Sequence, residues 1–262
     1  MKLHIVPART GFTWVRLGTR TFLRQPLALA GLFFMFMALV TVLALVPVVG
    51  SVVALVLVPA ATLGIMAASR EADAGRFPMP SLLLTGFRAD RQRTRTLLTL
   101  GLIYAVAVTV VLGLAALVGG DPASAPPPPA DADPTELARD ALLGGGLWLA
   151  MLLYLPIGMA FWHAPALTHW HGIGPAQSLF YSVMACWANK GAMLAYMAGW
   201  VFMFMASSVV LSLMAALLGP ALLGVILYPM VLLMASLFHA SVYFTYRDSF
   251  QTDDTPADTA AT

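Results

Sequence analysis

The chain has 262 residues, 60% of them hydrophobic before its 21 glycines are counted, and only 10% charged. Soluble domains carry about 25% charged residues, so no ordinary water-facing surface can be built, which excludes a soluble globular enzyme, a charged disordered chain and a nucleic-acid binder. The formal charge of +2 is small, and its meaning depends on where the charges fall.

Residues 10–25 read as an amphipathic helix on the membrane surface. Arg9, Thr13, Arg16, Arg20 and Arg24 recur at helical spacing and form a cationic stripe, while Trp14, Val15 and Phe22 take the other side. Such a helix lies in the headgroup layer, where each basic residue near anionic lipid gains about 1 kcal/mol. Pro26 ends it. The apolar tract that follows is long enough for two spans, 27–46 and 48–68, because a helix needs about 20 apolar residues to cross a hydrocarbon core of about 30 Å. Pro47-Val48-Val49-Gly50 breaks the tract into a hairpin.

Residues 80–95 read as a second surface helix that opens on Pro80, with Leu83 and Phe87 on one face and Arg88, Arg91 and Arg95 on another. Span three covers 97–118. Residues 119–140 are acidic, proline-rich and poor in bulky side chains, which predicts a disordered external loop. Span four covers 141–162. A third surface helix, 175–190, opens on Pro175, places Leu179, Val183 and Trp187 together, and groups Ser178, Ser182 and Asn189 on a polar face without charge. Spans five and six, 191–217 and 221–246, divide at Gly219-Pro220. The acidic tail, 248–262, is expected to be disordered.

These elements predict an all-α integral membrane protein with one membrane domain, 1–247, and six transmembrane helices. They are read as three pseudo-repeats of an amphipathic surface helix plus a membrane hairpin, since Val58-Pro59, Leu155-Pro156 and Tyr228-Pro229 recur in the second span of each pair. A β-barrel is excluded, because its strands alternate apolar and polar residues. The first apolar tract is too long for a signal-peptide core and is expected to act as a signal anchor. All but one of the 14 Lys and Arg residues fall on one side of this topology, which the retention of cations assigns to the cytoplasm with both termini. The exception, Arg139, lies in the loop with Asp121, Asp131, Asp133, Glu136 and Asp140.

The spans contain no Asp, Glu, Lys or Arg, the usual mark of ion pathways. Histidine is the remaining candidate. Trp162-His163-Ala164 and Phe238-His239-Ala240 repeat one aromatic-His-Ala pattern near span ends, where an imidazole lines a cavity or hydrogen-bonds at the interface beside its aromatic anchor. His169-Trp170-His171 is a weak metal signal without acidic partners. The 15 methionines, including the pairs Met193/Met197 and Met230/Met234, are read as packing residues. Gly101, Ala105, Thr109 and Gly113 form a small-residue stripe for close helix packing, with a homo-oligomer contact as the alternative. The single cysteine, Cys186, excludes an internal disulfide and a Cys-based zinc site. No nucleophile elbow, zinc-protease motif, phosphate loop or dinucleotide fingerprint is present.

Ile5-Val6-Pro7-Ala8-Arg9-Thr10-Gly11, Trp14-Val15, the run from Phe22 to Met35, and Arg70-Glu71-Ala72-Asp73-Ala74-Gly75-Arg76-Phe77-Pro78-Met79-Pro80 resemble an uncharacterised family of multi-pass inner-membrane proteins of proteobacteria. The resemblance implies a bacterial inner-membrane location and brings no activity, cofactor or site residue. The expected function is therefore a non-enzymatic membrane component without cofactor. Its basic cytoplasmic face, Arg16, Arg20, Arg24, Arg88, Arg91 and Arg95, engages anionic headgroups of membrane lipid or a protein partner. One alternative is a transporter or channel for a small or amphiphilic solute, with a cavity near His163 and His239. A second is a lipid-modifying enzyme.

Overall fold

A computed structural model describes residues 2–119, 145–219 and 221–251. Among them the helices are α1 (Thr10–Arg24), α2 (Pro26–Ala44), α3 (Val49–Asp73), α4 (Arg91–Gly119), α5 (Gly145–Phe161), α6 (Ala164–His171), α7 (Pro175–Ala188), α8 (Lys190–Leu218) and α9 (Ala221–Ser249), with a 3-10 helix at Pro80–Phe87. Two short strands, β1 (Lys2–Leu3) and β2 (Phe250–Gln251), pair antiparallel. The protein is membrane-embedded and helical. Six stretches are long and apolar enough to cross a membrane: Pro26–Ala44, Val49–Asp73, Arg91–Gly119, Gly145–His171, Lys190–Leu217 and Val225–Ser249. That is the number expected from the apolar tracts. The loop expected at 119–140 lies, beyond Gly119, outside the described residues.

Local chemistry sets the breaks. Gln25 precedes a proline and leaves the helical region at φ −141°, which ends α1, while Pro26 opens α2 where a missing N–H costs nothing. The first hairpin turns at Val48, whose φ of 61° and ψ of −62° form a tight γ-turn closed by a 2.6 Å bond from the Val49 N–H to the Pro47 carbonyl. A β-branched residue is strained there. The break at Trp162-His163 comes one turn before Pro165, whose ring cannot follow a carbonyl four residues earlier in a helix. Gly172, at φ 67°, closes α6 in the left-handed conformation. The sequence pattern assigned no element to Ala164–His171.

In lipid, helices gain little from apolar burial against one another, so close approach and hydrogen bonds decide the packing. The helix α3 lies between α2 and α4 and also packs on the 3-10 helix and α9. A Cβ on Gly64 would meet Leu83 of the 3-10 helix, and one on Gly101 would meet the Val56 carbonyl of α3. Tyr104 and Tyr154 share a 2.9 Å bond between α4 and α5. Ser236 donates to the Leu29 carbonyl at 3.3 Å, tying α9 to α2. The largest core cluster gathers Trp14, Tyr196, Trp200 and Phe244 where α1 crosses α8 and α9.

Two surface segments differ from their expected form. The helix α1 does not lay Trp14, Val15 and Phe22 into lipid headgroups, because that side packs on α8 and α9 and Trp14 is fully buried. The reason is Gly11 and Gly18. A Cβ on either would collide, with the Ala192 carbonyl and with Ser241 respectively, so their absence lets the backbones touch. The expected continuous helix at 80–95 is a 3-10 helix that ends at Phe87, followed by a separate start at Arg91. Asp90 makes that start by accepting the Arg93 N–H on its side chain at 2.9 Å, as a helix N-cap does. The third segment is helical over Pro175–Ala188, with Ser178 and Ser182 buried and Phe180 and Trp187 exposed.

Residues 248–251, expected to open the disordered tail, are ordered, and the rest of that tail, 252–262, lies outside the described residues. The helix α9 runs to Ser249, and Phe250–Gln251 pairs with Lys2–Leu3. Asn189, at the joint of α7 and α8, clamps both ends of the chain: its Oδ1 accepts the Val6 N–H at 2.8 Å, and its Nδ2 donates to the His4 carbonyl at 3.0 Å and the Ser249 hydroxyl at 3.4 Å. Residues 2–6 and 249–251 therefore share one end of the bundle.

Candidate functional site

The cationic candidates fall into separate places. With its glycine side on α8 and α9, α1 turns Arg16, Arg20 and Arg24 outward, all exposed. These three line a groove of about 670 Å³ between α1 and α8, with Phe12 and Leu23 from α1 and Phe202 and Met203 from α8 as apolar walls. Arg88 lines a second groove, of about 500 Å³, between α2, α3 and the 3-10 helix, where Phe36, Leu57 and Leu84 are among its walls. Arg91 and Arg95 are exposed on the first turns of α4 and line neither groove.

Other charges at this end are occupied. Arg247 pairs with Asp73 at 3.3 Å and with Asp248 at 2.9 Å, and the Trp14 indole donates to Asp248 at 2.8 Å, which joins the ends of α3 and α9 to α1. Arg76 binds Glu71 through two nitrogens, and Arg93 binds Asp90 at 3.2 Å. Arg70 lies over the Trp170 ring, 5.8 Å from its centre. Among the described residues, Arg16, Arg20, Arg88, Arg91 and Arg95 make no ion pair. Arg24 reaches only the Asp73 carbonyl, at 3.5 Å.

A probable inner membrane protein of Burkholderia thailandensis is 38% identical to this chain over 256 residues, covering 95% of this chain and 94% of the relative. The chain belongs to that inner-membrane protein family. No family model matches the chain, and no solved structure matches it. In this multi-pass inner-membrane protein, where lipid is the solvent, two lateral apolar grooves thus carry at their edges arginines that make no ion pair among the described residues.

The two histidines singled out by their shared pattern are not brought together. His163 is fully buried at the α5–α6 break. Its backbone N–H donates to Ser182 at 2.9 Å, and its Nε2 faces Thr245 Oγ1 at 3.2 Å. Thr245 already donates to the Val242 carbonyl at 2.7 Å and accepts the Trp162 indole at 3.0 Å, so the imidazole carries its proton on Nε2. Its Nδ1 then faces the Cys186 thiol at 3.9 Å. His239 instead donates from Nδ1 to the Ala235 carbonyl at 2.8 Å and stacks near Phe33. Neither lines either groove. The Nε2 of His171 meets the Tyr246 hydroxyl at 2.9 Å, and the His169 carbonyl accepts from Arg93 at 2.9 Å. Among the described residues, no three His, Cys, Asp or Glu side chains gather as a metal site.

The small-residue stripe divides. Gly101 and Ala105 are buried, Gly101 against α3, while Thr109 and Gly113 are exposed and a Cβ on Gly113 would meet nothing within 4 Å. Sequence reasoning missed Thr245, and the pairing of Cys186 with His163, because these residues come from helices far apart in the chain. It also missed Gly11 and Gly18, although their separation by two helical turns, beside Trp14, carries a signal.

Proposed function

We propose that the protein is a non-enzymatic component of the inner membrane whose basic face, turned to the cytoplasm with both termini, engages anionic lipid headgroups. The observation that carries this is the pairing of unneutralised arginines with apolar groove walls: Arg16 and Arg20 at one groove and Arg88 at the other. Arginine without an acidic partner at a headgroup boundary attracts phosphate, and several such residues sum. The three-unit reading of the chain belongs to this proposal, since each pair of spans follows a segment on the basic face. A non-enzymatic role is favoured by how the buried polar groups are spent. His163, Ser182 and Thr245 bind one another or nearby backbone, and Cys186 is buried with its thiol pushed up to about 12, far from a reactive thiolate.

The test replaces Arg16, Arg20, Arg24, Arg88, Arg91 and Arg95 with glutamine and measures lipid composition around the protein after extraction into polymer nanodiscs. Phosphatidylglycerol should fall at least two-fold relative to phosphatidylethanolamine. Unchanged lipid and unchanged co-extracted proteins would end the proposal, while loss of a protein alone would assign the face to a protein partner.

A further inference from the structure

We infer that the groove between α1 and α8 holds one anionic phospholipid, with its phosphate on Arg16 and Arg20 and an acyl chain along Phe202 and Met203. This rests on the basic-face reading and narrows it to one place and one stoichiometry. The groove is about 670 Å³, within the ~300–1,000 Å³ typical of small-molecule sites. Arg16 and Arg20 are four residues apart on α1, so their stems are neighbours, about 5–6 Å between Cβ atoms. Two guanidinium forks at that spacing can share one phosphate, each through charge-assisted bonds. No acid lines the groove, and neither arginine has an ion pair among the described residues.

The walls select the rest of the ligand. Phe202 and Met203 lie within a stretch that crosses the membrane, and Phe202 is 71% exposed, so this wall meets hydrocarbon rather than water. Gly199 brings the helices together: a Cβ there would come within 3.0 Å of Val15 and 3.3 Å of Phe12. A phosphate at the arginine end and hydrocarbon at the other describe a phospholipid. The absence of any acid among the described residues lining the groove disfavours an ammonium headgroup, which selects anionic over zwitterionic lipid.

The experiment is native mass spectrometry of the full chain, purified in detergent and titrated with dioleoylphosphatidylglycerol or dioleoylphosphatidylethanolamine. The variants are R16Q/R20Q, R88Q/R91Q/R95Q, and M203W, which fills the groove and leaves the arginines in place. One phosphatidylglycerol should saturate the wild type, with phosphatidylethanolamine at least ten-fold weaker. R16Q/R20Q and M203W should each lower occupancy at least five-fold, and R88Q/R91Q/R95Q should leave it within two-fold. Because Arg16 and Arg20 are exposed, their variant tests binding even if M203W disturbs folding. Equal losses in both arginine variants with M203W unaffected would overturn the groove and leave the basic-face reading standing. No preference between the lipids would overturn both, and a lipid-free dimer that R16Q/R20Q dissociates would assign the groove to a second copy.

Discussion

Cys186 lies 3.9 Å from the His163 imidazole and 3.7 Å from the Met159 carbonyl, and burial pushes its thiol up to about 12. An unfolded thiol titrates near 8.5. Between about 8.5 and 12 the unfolded chain has released a proton that the folded chain keeps, so the contribution of this group to stability is complete below that window and is lost as pH rises through it. The thermal unfolding midpoint should therefore fall more from pH 8 to pH 10 in the wild type than in C186A, and an equal fall would show that the thiol is not buried. Maleimide should label Cys186 at pH 7.5 at least about 100-fold more slowly in the folded protein than in denaturant. The buried environment of this residue was illegible in the sequence because its partners, Met159 and His163, come from α5 and the α5–α6 break rather than from its own helix. The same limit applies to His163 and His239. One three-residue pattern occurs twice, yet one ring bonds across helices and the other to its own helix.

The helix α1 shows why an element can be read correctly and placed wrongly. Its arginine spacing was legible because a period of 3.6 residues is a property of the chain alone. Its partner was not, because an amphipathic face suits a lipid surface or a protein groove equally, and only the bare backbone at Gly11 and Gly18 decides between them. Overpacking such a contact costs about 1–3 kcal/mol. G11A and G18A should each lower the unfolding midpoint by several degrees, whereas G31A, where a Cβ meets nothing within 4 Å, should leave it unchanged or raise it slightly through helix propensity. Equal responses at all three positions would contradict the crossing. In the 80–95 segment the apolar spacing was legible, but the N-cap at Asp90 won locally and split the predicted helix.

At the scale of the whole molecule, the number of spans was legible because hydrocarbon thickness, not sequence-distant contact, sets it. The pairing of Lys2–Leu3 with Phe250–Gln251 requires these two segments to lie on one side of the membrane. We propose, from the distribution of cations, that this side is the cytoplasm. A reporter active only outside the cytoplasm should work when inserted at Asp131 and fail after Thr262, and the opposite pattern would reverse the orientation. The junction of the chain ends also bears on biosynthesis. Trp14 and its hydrogen-bond partner Asp248 are 234 residues apart, so at about 5–20 residues per second the N-terminal helix waits roughly 10–50 s for its seat to be made. During that interval the bare glycine side, Gly11 and Gly18, lacks the Ala192 and Ser241 backbones of α8 and α9 against which it packs. If the basic face engages lipid as proposed, the arginine stripe would also moor the waiting helix on the anionic leaflet until α8 and α9 arrive.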